Sequence, residues 1–267
     1  MMQRSSSPDY ADIHNHLLPA VDDGAGSLDE SLRHLHAMAA CGVTRLAFSS
    51  HLHGWIAYEH GALARRLDDL EAAYDRVRAA CAERDDVPAD LVFGQEILVS
   101  DPETARRLFD EPRVGFRGTD YALIEFGFHL PDDPLGVIRA VRASGRRPII
   151  AHPERYNRDG TPADADEILA WRAEGALLQA NAGSLLGRHG DGLAEHAWRL
   201  LARGAFDLIA SDHHGDARPD SPDRVAARLA DRGAQHLVEP LLCENPRRIL
   251  GNRGTRRVEP WSPQAVA

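Results

Sequence analysis

The chain alternates short apolar runs with longer amphipathic segments, and this alternation limits the fold more than any other feature. The apolar runs have the length and composition of buried strands, and they cover residues 10–14, 43–50, 91–97, 121–126, 148–151, 176–181 and 206–211. The segments between them carry apolar residues at helical spacing and predict helices near residues 28–41, 60–83, 101–109, 133–144, 163–174, 191–203 and 221–231. Strands that alternate with helices predict an α/β protein with a mostly parallel sheet.

Seven predicted strands, each followed by a helix, are most simply arranged as a TIM-like barrel of the (β/α)7 type. A doubly wound open sheet has the same pattern and stays an alternative at this stage. The sequence shows no internal linker or repeat, so residues 10–250 are interpreted as one domain. Residues 1–9, polar and rich in serine, are expected to be a disordered extension, and residues 251–267 a loosely held one.

The composition excludes several kinds of enzyme. All 31 basic residues are arginine, so any enzyme that needs a Schiff-base or carboxylated lysine is excluded, including that type of amidohydrolase. None of Cys41, Cys81 and Cys243 is followed by arginine six residues later, which excludes a thiol phosphatase of the C-x5-R type. Their odd number and wide spacing argue against a disulfide framework.

Charge and hydropathy limit the partners. The net charge of −10 disfavours nucleic acid, because a phosphate backbone binds basic surfaces. No apolar run approaches the ~20 residues that a membrane-spanning helix needs. We therefore expect no membrane insertion, and a cytoplasmic location is the default.

Histidine and carboxylate residues fall at the carboxyl ends of the predicted strands, where barrel enzymes assemble their active sites. They are His14, His16, His51, Glu96, Glu125, His152, Asp212 and His214. Residues i and i+2 of an extended strand point to the same side, so His14 and His16 can bind one ion, and Asp212 with His214 repeats the spacing. Imidazole and carboxylate without thiolate suit manganese, zinc or iron, and a carboxylate that bridges two ions makes a multinuclear site plausible.

A second H-x-H string serves as a comparison. His34 and His36 lie on a predicted helix, where residues two apart point in different directions and cannot share an ion. They are interpreted as surface histidines.

Several motifs resemble those of the PHP (polymerase and histidinol phosphatase) superfamily, and specifically its bacterial tyrosine-protein phosphatases of the CpsB/CapC type. The motifs are D-I-H-N-H-L-L-P-A-V-D-D-G (12–24), F-G-Q-E (93–96), Y-A-L-I-E-F (121–126), I-A-H-P-E-R-Y (150–156), Q-A-N-A-G-S-L-L-G (179–187), A-S-D-H-H (210–214) and E-N-P-R-R-I-L (244–250). The resemblance covers roughly residues 10 to 250, and the order and spacing of the motifs make it specific.

The resemblance implies a distorted seven-stranded barrel, the PHP fold, that holds two or three divalent ions, commonly manganese. Carried over by position, the first ion would be held by His14, His16, Glu96 and Asp212, the second by Glu96, Glu125 and His152, and the third by Asp23, His51 and His214. On spacing alone, Asp23 is interpreted as part of a turn. Relatives often carry adjacent histidines where this chain has His51-Leu52-His53, so the choice between His51 and His53 stays open.

The resemblance also implies that Arg155 and Arg218 contact the phosphate, and a guanidinium can donate two parallel hydrogen bonds to a phosphoryl group. The implied function is hydrolysis of phosphotyrosine by a metal-activated hydroxide. The implied partner is the phosphotyrosine tail of a bacterial tyrosine kinase in polysaccharide synthesis. The alternatives are a small-molecule phosphatase such as histidinol-phosphatase, a nuclease of the same superfamily, and a catalytically silent metal-binding regulator.

Overall fold

The computed structural model describes residues 9–262. Of the extension predicted at residues 1–9, all but Asp9 lies outside the described residues. The strands are β1 (Tyr10–Asp12), β2 (Val43–Ala47), β3 (His51–His53), β4 (Asp90–Val92), β5 (Glu96–Leu98), β6 (Tyr121–Glu125), β7 (Arg147–Ala151), β8 (Asn157–Arg158), β9 (Thr161–Pro162), β10 (Leu177–Asn181) and β11 (Leu208–Ala210). The α-helices are α1 (Leu28–Ala40), α2 (Ala62–Cys81), α3 (Pro102–Phe109), α4 (Pro134–Ala143), α5 (Ala165–Ala173), α6 (Ala182–Leu185), α7 (Asp191–Ala202), α8 (Pro222–Asp231) and α9 (Asn245–Leu250).

The sheet is parallel, as the alternation predicts, and the protein is of the α/β class. β1, β2 and β4 form one sheet in the order β1-β2-β4, and a second sheet has the order β11-β10-β7-β6-β5-β3. β8 and β9 form a small antiparallel hairpin.

Two of the predicted strands are each broken into two shorter strands. In each case the first half belongs to one sheet and the second half to the other, so the two sheets are connected at these breaks. The run 43–50 becomes β2 and β3, and the run 91–97 becomes β4 and β5. Hydrogen bonds from Phe48 N to Val92 O (3.0 Å) and from Glu96 N to Ser49 O (2.8 Å) continue the pairing across both breaks.

Hydrogen bonds also link the last strand to the first. Asp212 N donates to His14 O (2.7 Å) and His16 N donates to His213 O (2.8 Å), just beyond the ends of β11 and β1. The strands therefore follow one another in a closed circuit of seven positions, as expected of a distorted barrel. Because the strands are parallel, their carboxyl ends meet at one end of this circuit.

Buried side chains form two apolar layers. Inward-facing strand residues such as Ile13, Leu123 and Ile149 pack together with Ile249 and Leu250 of α9. A larger layer fills the space between the strands and the surrounding helices. The helix starts follow the sequence signals, since Ser27 Oγ accepts a hydrogen bond from Glu30 N (3.2 Å) at the start of α1.

The expectation of a loosely held tail is wrong for Val258 and Trp261, and residues 263–267 of that tail lie outside the described residues. Val258 and Trp261 are buried, and Trp261 N donates to Ala202 O (2.9 Å) at the end of α7. The indole of Trp261 also packs edge-on against Trp198. In the part of the chain that the structure describes, no helix combines the length and the hydropathy needed to cross a membrane.

Candidate metal centre

The structure brings all nine predicted ligands together at the carboxyl end of the parallel strands. They fall into overlapping groups whose ligand atoms lie within 4.8 Å of one another, formed by His14, His16, Asp23, His51, Glu96, Glu125, His152, Asp212 and His214. Most are fully buried, while Asp23 is 65% exposed and marks the open side of the cluster. We call this set the metal cluster.

Glu96 lies at the middle of the metal cluster. Its Oε1 is 3.1 Å from the Nε2 atoms of both His14 and His152, and its Oε2 is 3.1 Å from His51 Nδ1 and 3.4 Å from His16 Nε2. One carboxylate therefore faces four imidazoles, which is the arrangement of a carboxylate that bridges cations. Glu96 and His51 begin the short strands β5 and β3 rather than follow a strand, because the breaks in the sheet bring these positions to the end of the barrel.

Asp212 and Asp23 complete the metal cluster on its other side. Asp212 Oδ1 is 3.4 Å from His14 Nε2 and 3.3 Å from His214 Nδ1. Asp23 Oδ1 is 3.4 Å from His51 Nε2 and 3.3 Å from His214 Nε2. Glu125 Oε2 is farther out, 3.9 Å from His51 Nδ1.

His51, not His53, belongs to the metal cluster. The imidazole of His51 lies between Glu96 and Asp23, whereas His53 is exposed and takes part in none of the ligand groups. Of the two helical histidines, His36 is exposed as expected, but the expectation of a surface position is wrong for His34. His34 is buried, and its Nδ1 donates to His213 Nε2 (3.0 Å), because α1 packs against the loop after β11.

Residues that sequence analysis did not single out hold the imidazoles in orientation. His14 Nδ1 donates to Gln179 Oε1 (2.8 Å), and His16 Nδ1 donates to Asp22 Oδ2 (2.9 Å). Both bonds leave Nε2 facing the metal cluster, as such partners do for metal-binding histidines. The sequence pattern could have pointed to Gln179. Its strand, predicted at residues 176–181, was the only predicted strand without a predicted site residue at its carboxyl end.

Arg155 and Arg218 converge on one oxygen of Asp212. Their Nη1 atoms donate to Asp212 Oδ2 at 3.0 and 3.2 Å, and Asn181 Nδ2 donates to the same oxygen at 2.6 Å. Arg155 comes from the turn after β7 and Arg218 from the loop after β11, so the two guanidinium groups reach the metal cluster from different strands.

Burial and charge shift the ionisation of the metal cluster. Burial lowers the pKa of His14, but the carboxylates of Glu96 and Asp212 outweigh it and raise that pKa to about 9. For His16, hydrogen bonds with Asp22 and Glu96 outweigh burial and raise the pKa to about 10. Burial and the Glu96 carboxylate raise the pKa of Glu125 to about 7.

The donor set fits divalent cations. Among the described residues, His51 Nδ1 and His214 Nε2 are buried nitrogen atoms without a hydrogen-bond partner, and both face carboxylate oxygens. Protons on His14 and His16 supply positive charge among the carboxylates, and a bound cation can replace such protons.

His152 and Asp212 both have left-handed backbone, with φ of 32° and 52°. This conformation is uncommon for residues other than glycine, and strained backbone of this kind clusters at functional sites.

A parallel strand circuit with a histidine and carboxylate cluster at its carboxyl end defines an α/β protein built around a candidate divalent-metal centre. The family model for capsular polysaccharide synthesis, CpsB/CapC, matches residues 10–251, and the chain belongs to this family. The chain is 30% identical to the tyrosine-protein phosphatase YwqE of Bacillus subtilis over 93% of this chain and 94% of that protein. It is 29% identical to the putative tyrosine-protein phosphatase CapC of Staphylococcus aureus, over 90% of this chain and 91% of that protein.

A solved structure has a similar fold. It belongs to a study of YwqE from Bacillus subtilis and CpsB from Streptococcus pneumoniae, described as metal-dependent tyrosine phosphatases. The match has a TM-score of 0.76 and 27% identity, and it covers 95% of this chain and 99% of the other.

Proposed function

We propose that this protein is a metal-dependent protein-tyrosine phosphatase, a phosphoric monoester hydrolase that acts on phosphotyrosine. The observation that carries the proposal is the convergence of the metal cluster with Arg155 and Arg218 at Asp212. The relatives named tyrosine-protein phosphatases support it, because they match along nearly their whole length.

The proposed metal ligands are the nine residues of the metal cluster, and they have enough donors for two or three divalent ions. Manganese is the first choice, and zinc and iron also suit imidazole and carboxylate. When bound, such ions lower the pKa of a coordinated water and neutralise charge on the phosphoryl oxygens.

Arg155 and Arg218 are the proposed phosphate-binding residues. Each guanidinium can donate two hydrogen bonds to a phosphoryl group, and their shared contact with Asp212 aims both at the metal cluster before substrate arrives. Fixed donors of this kind stabilise charge that develops during phosphoryl transfer without having to reorient.

The demand for a general acid is modest in this reaction. The phenol of tyrosine has a pKa of about 10, so phenolate leaves more readily than an alkoxide. In the metal-free protein, burial and Glu96 raise the pKa of Glu125 to about 7, and a bound cation would keep this carboxylate ionised.

The partner proposed for this enzyme is the phosphotyrosine tail of a bacterial tyrosine kinase in polysaccharide synthesis. The naming of the family for capsular polysaccharide synthesis supports this link. A cytoplasmic location, where such a tail would be reached, stays a prediction.

The test compares kcat/KM of the metal-loaded protein on a phosphotyrosine peptide, histidinol phosphate and p-nitrophenyl phosphate. We expect the peptide to be the best physiological substrate, Arg155→Ala to lower its kcat/KM about 10²- to 10³-fold, and Arg155→Lys to restore little because lysine cannot form the paired bonds. The matched control is Arg158→Lys, at an exposed arginine of the adjacent β8 that pairs with Glu167.

Two outcomes would overturn the proposal. A higher kcat/KM on histidinol phosphate would favour the small-molecule phosphatase. No turnover of any of the three substrates with manganese, zinc or iron would favour the silent metal-binding regulator.

A further inference from the structure

The large hydrophobic side chains that are exposed among the described residues lie at one end of the barrel. Trp55 is 60% exposed, Tyr58 54% and Phe128 61%, and all three follow strands that carry residues of the metal cluster, His51 in β3 and Glu125 in β6. Exposed apolar groups that gather near a polar site mark a place where a ligand covers them.

Trp55 and Phe128 stand on opposite sides of one strand. β3 and β6 both pair with β5, in a register that aligns His53, Leu98 and Glu125. Trp55 follows β3 by two residues and Phe128 follows β6 by three. The ends of β3 and β6, from which the segments carrying Trp55 and Phe128 leave the sheet, are therefore two strand spacings apart, about 10 Å. A planar ring held on both faces needs about 7 Å, twice the carbon–carbon contact distance.

Both side chains adjoin the proposed catalytic residues. Trp55 lines a cavity of about 540 Å³ together with Asp23 and His51 of the metal cluster. The Phe128 ring lies under the guanidinium of Arg155, 5.2 Å from its centre, and Arg155 in turn donates to Asp212. Trp55 therefore borders the side of the metal cluster that carries Asp23, and Phe128 borders a guanidinium proposed to bind phosphate.

The backbone beneath each aromatic group is fixed. Phe128 O accepts hydrogen bonds from Asn157 N (3.1 Å) and Asn157 Nδ2 (2.8 Å), which tie its loop to β8. On the other side, Gly54 packs so closely against β5 that a Cβ there would lie 2.6 Å from Leu98 O. Two exposed aromatic side chains on anchored backbone are prepared for stacking, because little backbone order is lost on binding.

We infer that Trp55 and Phe128 form an aromatic slot that binds the phenyl ring of phosphotyrosine and makes the enzyme prefer aryl phosphates over alkyl phosphates. This inference rests on the proposed function. A phosphotyrosine whose phosphate reaches the buried metal cluster carries its ring to the level of the slot. A phosphoserine has no ring to fill the slot, and its shorter side chain draws the peptide backbone down against the rim.

Tyr58 is not part of the aromatic slot, although it is also exposed and aromatic. Tyr58 Oη bonds to Thr104 Oγ1 (2.9 Å), and the Tyr58 ring lies under Arg107, so it faces α3. Tyr58 supplies a matched control on the same turn as Trp55.

The experiment measures kcat/KM of the metal-loaded full chain on two peptides of identical sequence, one with phosphotyrosine and one with phosphoserine. Trp55→Ala and Phe128→Ala are each expected to lower kcat/KM about tenfold on the phosphotyrosine peptide, the effect of one lost aromatic contact and its buried area. On the phosphoserine peptide Trp55→Ala should leave the value unchanged, and Phe128→Ala, which also removes the ring under Arg155, should lower it less than on the phosphotyrosine peptide, so both variants lose preference. Trp55→Phe should restore most of the preference, and Tyr58→Ala should keep all of it.

A binding measurement gives a second readout without turnover. The other tryptophans, Trp171, Trp198 and Trp261, are buried, so emission of the exposed Trp55 should report occupancy of the slot. A non-hydrolysable phosphonate analogue of the phosphotyrosine peptide is expected to change tryptophan emission in the wild type. In Trp55→Phe it should bind with similar affinity but without that change.

The outcomes separate the two proposals. If the wild type prefers the phosphotyrosine peptide and both alanine variants keep that preference, the aromatic slot is refuted and the proposed function stands. If the wild type hydrolyses neither peptide, the proposed function fails, and the slot falls with it.

Discussion

Asp22 is expected to control metal affinity although it is not one of the proposed ligands. Its Oδ2 accepts from His16 Nδ1 (2.9 Å) and from His51 N (3.1 Å), and its Oδ1 accepts from Gly24 N (3.1 Å). The carboxylate therefore orients one proposed ligand, fixes the backbone of a second, and shapes the loop that carries Asp23. Replacement by alanine leaves His16 Nδ1 without this partner inside the protein.

The size of the effect follows from the kind of bond that is lost. A hydrogen bond to a charged group contributes about 1.5–3 kcal/mol, and loss of such a partner behind a metal ligand weakens metal binding about 10- to 100-fold. We expect a loss in this range for Asp22→Ala. Asp22→Asn should lose about tenfold or less, because the amide oxygen still accepts from His16 Nδ1 while the charge is gone.

The assay is a competition titration of manganese and zinc against a fluorescent chelator, with elemental analysis of the purified protein. Asp29→Ala is the matched control, because Asp29 is an exposed carboxylate at the start of α1. Equal metal affinity in Asp22→Ala and wild type, with both folded by circular dichroism, would refute this account of the orientation of His16.

Four further predictions concern the same site. His51→Ala should lower bound metal and activity, and His53→Ala should leave the bound metal unchanged, because only His51 lies among the carboxylates; elemental analysis checks both. Gly24→Ala should lower the free energy of unfolding by about 1–3 kcal/mol, since its Cβ would lie 1.8 Å from His16 O, and thermal melting measures this. Manganese added to chelator-treated protein at pH 7 in weak buffer should release protons, because the pKa values of His14 and His16 are raised to about 9 and about 10. Since both folded-state values lie above the unfolded one of about 6.5, the metal-free protein should lose stability as pH rises from 6.5 through about 10, and constant stability there would contradict this assignment.

The strand and helix order could be predicted because each element carries its own periodic signal. The break within the run 43–50 could not, since this run contains no glycine or proline and nothing local marks the point where pairing passes from one sheet to the other. Helix α9 was missed, and the packing of Trp261 was missed because it depends on Trp198 and Ala202, which are distant in sequence.

Some residues of the candidate site could be located from the sequence, and others could not. Proposed ligands that follow strands, such as His14, His152 and Asp212, could be placed from spacing because parallel strands end together. Asp23 lies in a loop, and only the resemblance to a family pointed to it. Asp22 and Gln179 act through other side chains, and such contacts become visible only when the fold is known. His34 was misjudged because helical spacing gives no information about what packs on each face.

The hydrogen bonds between the first and last strands also have a consequence for the order in which the protein folds during synthesis. His14 and Asp212 are separated by 198 positions, yet their backbones are bonded to each other beside the metal cluster. During synthesis, an emerging chain holds its first two imidazoles long before the aspartate that faces them exists. Cation binding by the proposed ligands is therefore expected to be one of the last properties acquired, and its appearance in a refolding experiment would time the closing of the strand circuit.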